Sequence, residues 1–531
     1  MPDHNFPGLP GRTAPGHIAR DHIALSRIAV IDLGSNSLRL VVFDRLGTTL
    51  IASLNEKVTC ALGRGIARTG RLNPDGTELA LSNLERFVSL TRALGVDHLA
   101  IIATAAVREA SDGPAFAAEA ERRCGVPVRV IAGTEEAQLS AAGVLAGIRG
   151  VDGVVADLGG GSVELVRIDA ASATPIGAGV SLPIGPLRLT DLGDRSRVAD
   201  LIERKIADAA MLAAASGKDL YLVGGAWRAL ARLHMELTQY PLHIIHEYAI
   251  PRPDAEGFLE VVAGQSRRSL DRIAAISRKR LEALPIAALI LHRLIGAGKP
   301  RRIVFSAFGL REGYAFGLLP GAPDREPGDE PGGDALIASC KGIALSQSRW
   351  SGDGDRLHRW IAPLFSDPGL PDRDAARRRL HRAACWLSDT AWSEHPDYRA
   401  AHAFARTLTL PFPQIGHAER VFVASALHAR YGGGNDDSVK AATRMLLDED
   451  EAAEARALGL ALRLAYTLCG GALTLLDEVR LVRDAGGIAL EVPASGSLFA
   501  GETVTRRLDA LGRALAVPAR TLRRRESVEA V

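Results

Sequence analysis

From Val154 to Arg167 the sequence reads Val-Val-Ala-Asp-Leu-Gly-Gly-Gly-Ser-Val-Glu-Leu-Val-Arg. An apolar run ends at Asp157, crosses Gly159, Gly160, Gly161 and Ser162, and resumes as an apolar run carrying Glu164. Consecutive glycines let a backbone fold back and aim several N–H groups into one concavity, which suits a phosphate. The flanking carboxylates of Asp157 and Glu164 are hard oxygen ligands of the kind Mg²⁺ takes. A strand, not a helix, follows the turn. That separates it from the phosphate loops that open a helix.

The layout occurs twice. Ile28 to Asp44 reads Ile-Ala-Val-Ile-Asp-Leu-Gly-Ser-Asn-Ser-Leu-Arg-Leu-Val-Val-Phe-Asp. Asp32, Leu33, Gly34, Ser37, Leu40, Val41 and Asp44 match Asp157, Leu158, Gly159, Ser162, Leu165, Val166 and Asp169. A strand–turn–strand unit repeated this far apart implies two similar lobes, each presenting a phosphate-gripping turn to a cleft between them. Where the second copy has Glu164, the first has Arg39. One turn would bring a cation to phosphate and the other an acid to metal, a division suited to phosphoryl chemistry.

The paired turns resemble the phosphate motifs of the actin, Hsp70 and sugar-kinase superfold. In detail they resemble the exopolyphosphatase and guanosine pentaphosphate phosphohydrolase family. Four further blocks agree in order: Ala103–Ala110, Gly133–Ala137, Leu182–Leu189 and Ser306–Gly313. The resemblance is strong over about residues 28–319 and weak beyond. It implies an α/β fold of two duplicated actin-like lobes, with Ser35, Asn36, Ser37 and Gly159 to Ser162 cradling phosphates. It also implies Arg39 and Arg108 as charge-neutralising cations, Asp157 and Glu164 as Mg²⁺ ligands, and Glu136 as the general base that activates the attacking water. By pattern alone Glu135 and Glu136 only stabilise a helix N-terminus, and Arg108 only forms a surface ion pair with Glu109 or Asp112.

These residues need elements to hold them. The apolar spacing from Thr77 to Leu94 predicts a helix, Leu99–Ala103 a buried strand, Pro114–Cys124 a helix and Val128–Ile131 a strand that feeds the Glu136 block. The second lobe then predicts a helix over Val198–Ala215, a strand over Leu220–Val223, and a last strand over Ile303–Ser306. After Gly224-Gly225, the family pattern of a small residue and threonine gives way to Ala226-Trp227-Arg228. A tryptophan there would either stack or fill space and narrow the site, and this departure makes guanine recognition less secure than phosphate chemistry.

Residues 1–26 read as a flexible leader, 27–147 as the first lobe and 148–320 as the second. A Pro/Gly-rich linker over 321–335 leads into a mostly helical C-terminal domain over 336–531, with strand-like Ile488–Val492. In longer family members that domain resembles a metal-dependent His-Asp phosphohydrolase. Here Ser388-Asp389 stands where an adjacent His-Asp pair is expected. His381, Asp389, His395, Asp397 and His402 therefore read as remnants of a degenerate, non-catalytic HD-like domain. Arg377-Arg378-Arg379 with Arg382 would extend a polyanion track or form a solvated helix face.

The whole chain has 531 residues, 47% apolar and 24% charged, with a net charge of +2. That is ordinary for a soluble globular protein of several domains, and any grip on a polyanion must come from a local patch. Five scattered cysteines have no metal spacing and fit a reducing cytoplasm. No signal peptide or membrane span is evident, so no membrane partner is expected; the net charge argues neither way on nucleic acid, and none is expected as a partner.

The expectation is thus a cytoplasmic exopolyphosphatase that uses Mg²⁺. The alternatives are hydrolysis of guanosine pentaphosphate, a silent nucleotide-binding scaffold, or a phosphotransferase. Resemblance adds a homodimer.

Overall fold

The structure is a computed structural model that describes residues 27–46, 49–190, 192, 194–265, 283–319, 334–349, 353–365, 371–434, 436–494 and 499–524. The leader over 1–26 and nearly all of the expected linker lie outside them.

The duplication expected from the motifs is visible strand by strand. β1 (Arg27–Leu33), β2 (Ser37–Leu46), β3 (Thr49–Thr59), β4 (His98–Ala103) and β5 (Val128–Val130) form a sheet of order β3-β2-β1-β4-β5. β6 (Asp152–Leu158), β7 (Val163–Asp169), β8 (Ile176–Leu182), β9 (Asp219–Val223), β10 (Tyr248–Pro251) and β11 (Arg302–Phe305) form a second, of order β10-β11-β9-β6-β7-β8. In both sheets the first hairpin is antiparallel and the next strands in order are parallel to its first strand. Registers match too: Asp32 pairs with Arg39 across β1 and β2, as Asp157 pairs with Glu164 across β6 and β7.

Period-2 alternation loads both faces of each sheet. Ala29, Ile31 and Leu33 face helices Pro74–Ala93 and Gly113–Cys124, while Ile28 and Val30 face the opposite layer. In the second sheet Val154, Ala156 and Leu158 pack under helices that include Gly225–Leu237 and Leu284–Gly298, and Val155 points the other way. The helix expected over Val198–Ala215 is a helix Arg195–Ala207 followed by a 3-10 turn Ala210–Ala215.

The inner layer is where sequence order and packing part. Helix Gly133–Gly147, assigned to the first lobe by its place in the chain, buries Ala137, Ala141 and Val144 against Val155, Val166 and Val223 of the second sheet. Helix Leu310–Gly317, at the far end of the second lobe, packs Leu310 and Ala315 on Ile28, Val30 and Ile102 of the first. The lobes exchange helices, and a boundary at 147 cuts across this packing. The two helices cross at glycines. A Cβ on Gly143 would stand 2.2 Å from the Gly309 carbonyl oxygen, and one on Gly313 would stand 1.9 Å from that of Leu139.

From Ala335 the chain is helical, with its own core around Trp360, Phe412, Phe422 and Leu462. The expected strand at 488–492 is β13 (Gly487–Val492), the centre of a three-stranded sheet with β12 (Arg480–Asp484) and β14 (Ala519–Arg523). The C-terminal region is therefore mostly, but not wholly, helical. Its first helix touches the first lobe, with Ser339 Oγ 3.0 Å from Thr49 Oγ1 in a buried contact.

Candidate active site

The two glycine turns are built alike. Gly34 N donates to Ser37 O at 3.1 Å, and Gly159 N donates to Ser162 O at 3.0 Å. Behind them the carbonyls are taken up: Ser35 O by Gly63 N, Asn36 O by Ala61 N, Gly160 O by Leu187 N and Gly161 O by Gly185 N. With the carbonyls engaged on the protein side, the amide side of each turn is left for the cleft, as a phosphate nest requires. The turns meet face to face. A Cβ on Gly160 would lie 3.1 Å from Ser35 Cβ, and one on Gly161 would lie 3.2 Å from Ser35 Oγ.

Between them lies a cavity of about 310 Å³. Ser35, Asn36, Ser37, Arg39, Glu136, Asp157, Gly159, Gly160, Gly161 and Ser162 line it, as the sequence led one to expect. Glu164 and Arg108 do not line it. Glu164 is 1% exposed behind the turn, and Arg108 acts on the cavity through Glu136.

The carboxylates form one cluster. Glu136 sits in the first turn of helix Gly133–Gly147, and Ser140, one turn on, donates to Asp157 Oδ2. Ser181 Oγ, the register partner of Glu164 on β8, donates to Glu164 Oε1 at 2.8 Å. Glu164 Oε2 and Ser162 Oγ are buried without a hydrogen-bond partner. Burial, then Glu164 and Asp157, push the Glu136 carboxyl well above its usual range, against the pull of Arg108. Burial and Asp157 likewise raise Glu164, and burial raises Asp157. Carboxyls raised in this way would be favoured as anions by a cation beside them.

Among the described residues no three His, Cys, Asp or Glu side chains group as a complete metal site. Mg²⁺ is commonly held by one or two carboxylates with water and phosphate oxygens completing its shell, and Asp157 and Glu164 fit that pattern.

Arg108 is not spent on Glu109 or Asp112, which pair with Arg188 and Arg71. Its Nη1 donates to Glu136 Oε2 at 3.2 Å and to Ile131 O at 2.8 Å. It thus sits against the acid expected to act as base, with a phosphate role still an expectation of the family resemblance. Glu135 turns outward to Arg129.

Several groups in the cleft carried no role in the sequence reading. Lys57 stands beside Arg39 across β2 and β3. Arg228 and Arg232, one helical turn apart, line the far wall. Burial and the nearby Arg311 guanidinium depress Arg228 to about 10, and its Nε has no partner. Arg311 Nη1 donates to Asp32 Oδ2 at 2.6 Å, joining the exchanged helix to the first turn. The signals were present in part, since Asp32 is the repeat partner of Asp157 and Arg311 lies in the Ser306–Gly313 block. Trp227 is a correction. It is fully buried in the second lobe's core, with Nε1 donating to Ala287 O at 3.1 Å, and its ring neither stacks nor narrows the cleft.

The remnant set in the C-terminal region is dispersed. Asp389 is bound by Arg349 at 2.6 Å, His381 by Glu454 at 2.7 Å and His402 by Glu394 at 3.1 Å, while His395 faces Asp397 at the surface. Of the arginine run, Arg377 bonds Glu451 and Arg379 bonds Asp334, so part of its charge is already compensated. All five cysteines are buried and free. No helix among the described residues is long and apolar enough to cross a membrane.

Comparison with known proteins gives matches over both regions. Residues 41–322 match the Ppx/GppA phosphatase family, and residues 336–519 match the family described as exopolyphosphatase, C-terminal. Exopolyphosphatase 2 of Mycobacterium tuberculosis is 26% identical in an alignment 319 positions long that covers 55% of this chain and 99% of that protein. The crystal structure of an exopolyphosphatase from Cytophaga hutchinsonii aligns with a TM-score of 0.50 at 23% identity, covering 55% of this chain and 98% of that one. The latter likeness supports the two-lobed fold.

Proposed function

Because the chain belongs to the Ppx/GppA phosphatase family, we propose that it is an exopolyphosphatase, releasing orthophosphate from the end of inorganic polyphosphate. The observation that carries this reading is the lining of the cleft. Two backbone turns and the side chains of Arg39, Lys57, Arg228, Arg232 and Arg311 surround it, and no aromatic side chain is among the described residues that line it. Such a surface offers repeated grips on phosphate oxygens and, among the described residues, no aromatic ring to hold a guanine base.

In the proposed reaction Glu136 takes a proton from water as the water oxygen bonds to the terminal phosphorus. The bridging P–O bond breaks, and its electron pair leaves on the shortened chain. The turns orient the terminal phosphate, and the arginines offset the charge that spreads over its oxygens. Arg108 keeps Glu136 aimed and limits the rise in its proton affinity. Asp157 and Glu164 would hold Mg²⁺, which would supply charge neutralisation at the phosphate oxygens. A homodimer, on family resemblance, and a cytoplasmic location, in keeping with five free, buried cysteines, complete the proposal.

The test is orthophosphate release from long-chain polyphosphate and, separately, from guanosine pentaphosphate, with Mg²⁺, for wild type and Glu136→Gln. Polyphosphate cleavage that collapses in the variant is the expected result. Preference for the nucleotide would move the chain to the other activity of its family, and cleavage of neither would leave a binding scaffold.

A further inference from the structure

Outside the cleft, a buried polar cluster joins the second lobe to the C-terminal region. Gln414 N donates to Gly147 O at 2.5 Å, and the Gln414 side-chain amide reaches Ala146 O at 3.4 Å. His246 Nε2 donates to the same Gly147 carbonyl at 2.9 Å, while its Nδ1 accepts from Ala307 N at 3.2 Å. His417 then ties the turn down, with Nε2 donating to His246 O at 3.0 Å and Nδ1 accepting from Tyr240 at 2.9 Å. Gln414 and Glu247, on the two sides of this contact, have φ of 56° and 63°. Non-glycine residues adopt such angles only where the surroundings impose them.

The carbonyls at the end of a helix have no partners within it. Here two of them, Ala146 O and Gly147 O, are served by a residue more than two hundred and fifty positions away. They close the helix that carries Glu136 in its first turn and Ser140, the donor to Asp157, in its second. Sideways the helix has no slack, because Gly143 and Leu139 abut Gly309 and Gly313, and Gly147 meets the rings of His246 and Phe308. Displacement along its axis remains, and the Gln414 N–H opposes it. Reach is not an obstacle, since a 15-residue helix spans about 22 Å and transmits axial shifts as a rod.

We propose that Gln414 is a positioning residue for hydrolysis: through its backbone N–H the C-terminal region fixes the axial seat of the helix, and with it the place of Glu136 in the cleft. The kinetic arm of the test rests on the hydrolytic reading, and the exchange arm does not.

The test uses the full-length chain. Gln414→Pro removes the N–H, whereas Gln414→Gly keeps it and relieves the positive φ. His417→Phe loosens the same docking without touching the helix, and decides the matter if the proline variant does not fold. With polyphosphate as substrate, Gln414→Pro and His417→Phe are expected to lower kcat by about ten- to a hundredfold with KM within about twofold, and Gln414→Gly to stay near wild type.

Amide hydrogen exchange at Glu136 and Ala137 is expected to accelerate in the first two variants only. The proposal is overturned by wild-type kcat in a folded His417→Phe chain, by an equal loss in Gln414→Gly, or by faster exchange confined to the last helical turn. If wild type releases no orthophosphate, the hydrolytic reading fails and exchange alone decides.

Discussion

Arg108 Nη1 lies 3.2 Å from Glu136 Oε2, on a carboxyl that burial and the neighbouring Glu164 and Asp157 push well above its usual range. A general base works only when deprotonated, so the rate should rise with pH through the elevated Glu136 value. Removing the cation favours the protonated form further. In Arg108→Gln the acid limb of the kcat profile is expected to move to higher pH by about one unit. A limb that stays put or moves down would detach Arg108 from the base.

Glu136→Gln should lower kcat by about 10²- to 10⁴-fold with little change in substrate affinity. The same change removes a buried carboxyl whose ionised form burial, Glu164 and Asp157 disfavour. The metal-free variant is therefore expected to melt no lower than wild type, and differential scanning calorimetry would settle it.

Glu136, Asp157 and Glu164 are all raised above their unfolded values. Their contribution to stability is thus present below the ordinary carboxylate range and is lost as pH rises through the raised folded values. A bound cation favours the ionised forms, so Mg²⁺ should stabilise more at about pH 8 than at about pH 6. Glu164→Gln should lose most of that gain. An equal Mg²⁺ effect on Tm in the variant would place the ion elsewhere.

The glycine turns predict a steric result. A Cβ at residue 185 would stand 2.3 Å from the Gly161 carbonyl carbon, against backbone that cannot yield cheaply. Gly185→Ala is expected to displace the second turn and raise KM for polyphosphate severalfold, with a stability loss of about 1–3 kcal/mol. Unchanged KM would mean that this turn does not hold substrate.

Trp227→Phe tests whether that ring belongs to the core. Losing part of a fully buried side chain and its bond to Ala287 O should cost about 1–3 kcal/mol while kcat and KM stay near wild type. A selective change in KM would return the ring to the cleft.

What the sequence disclosed was local. A strand, a glycine turn and a second strand are contiguous, so both phosphate turns, their acids and their duplication could be read from residue types and period. The Asp32–Arg311 bond joins residues 279 apart, and no periodicity reports such a pairing. Trp227 and Arg228 are adjacent on one helix, and which of them faces the cleft depends on the phase of that helix against its sheet. Arg108 was recognisable as a site residue but not as the partner of Glu136, because its carbonyl anchor at Ile131 exists only in the folded chain.

The helix exchange has a consequence for the order in which this protein is made. The first sheet emerges early, yet the face formed by Ile28, Val30 and Ile102 has its cover, Leu310 and Ala315, only after the whole second lobe has been synthesised. Until then that apolar face is uncovered on the nascent chain, a state in which unfinished domains are prone to aggregate. The first lobe cannot be completed ahead of the second. A ribosome paused anywhere between the end of β5 and Leu310 would hold a sheet without its lid.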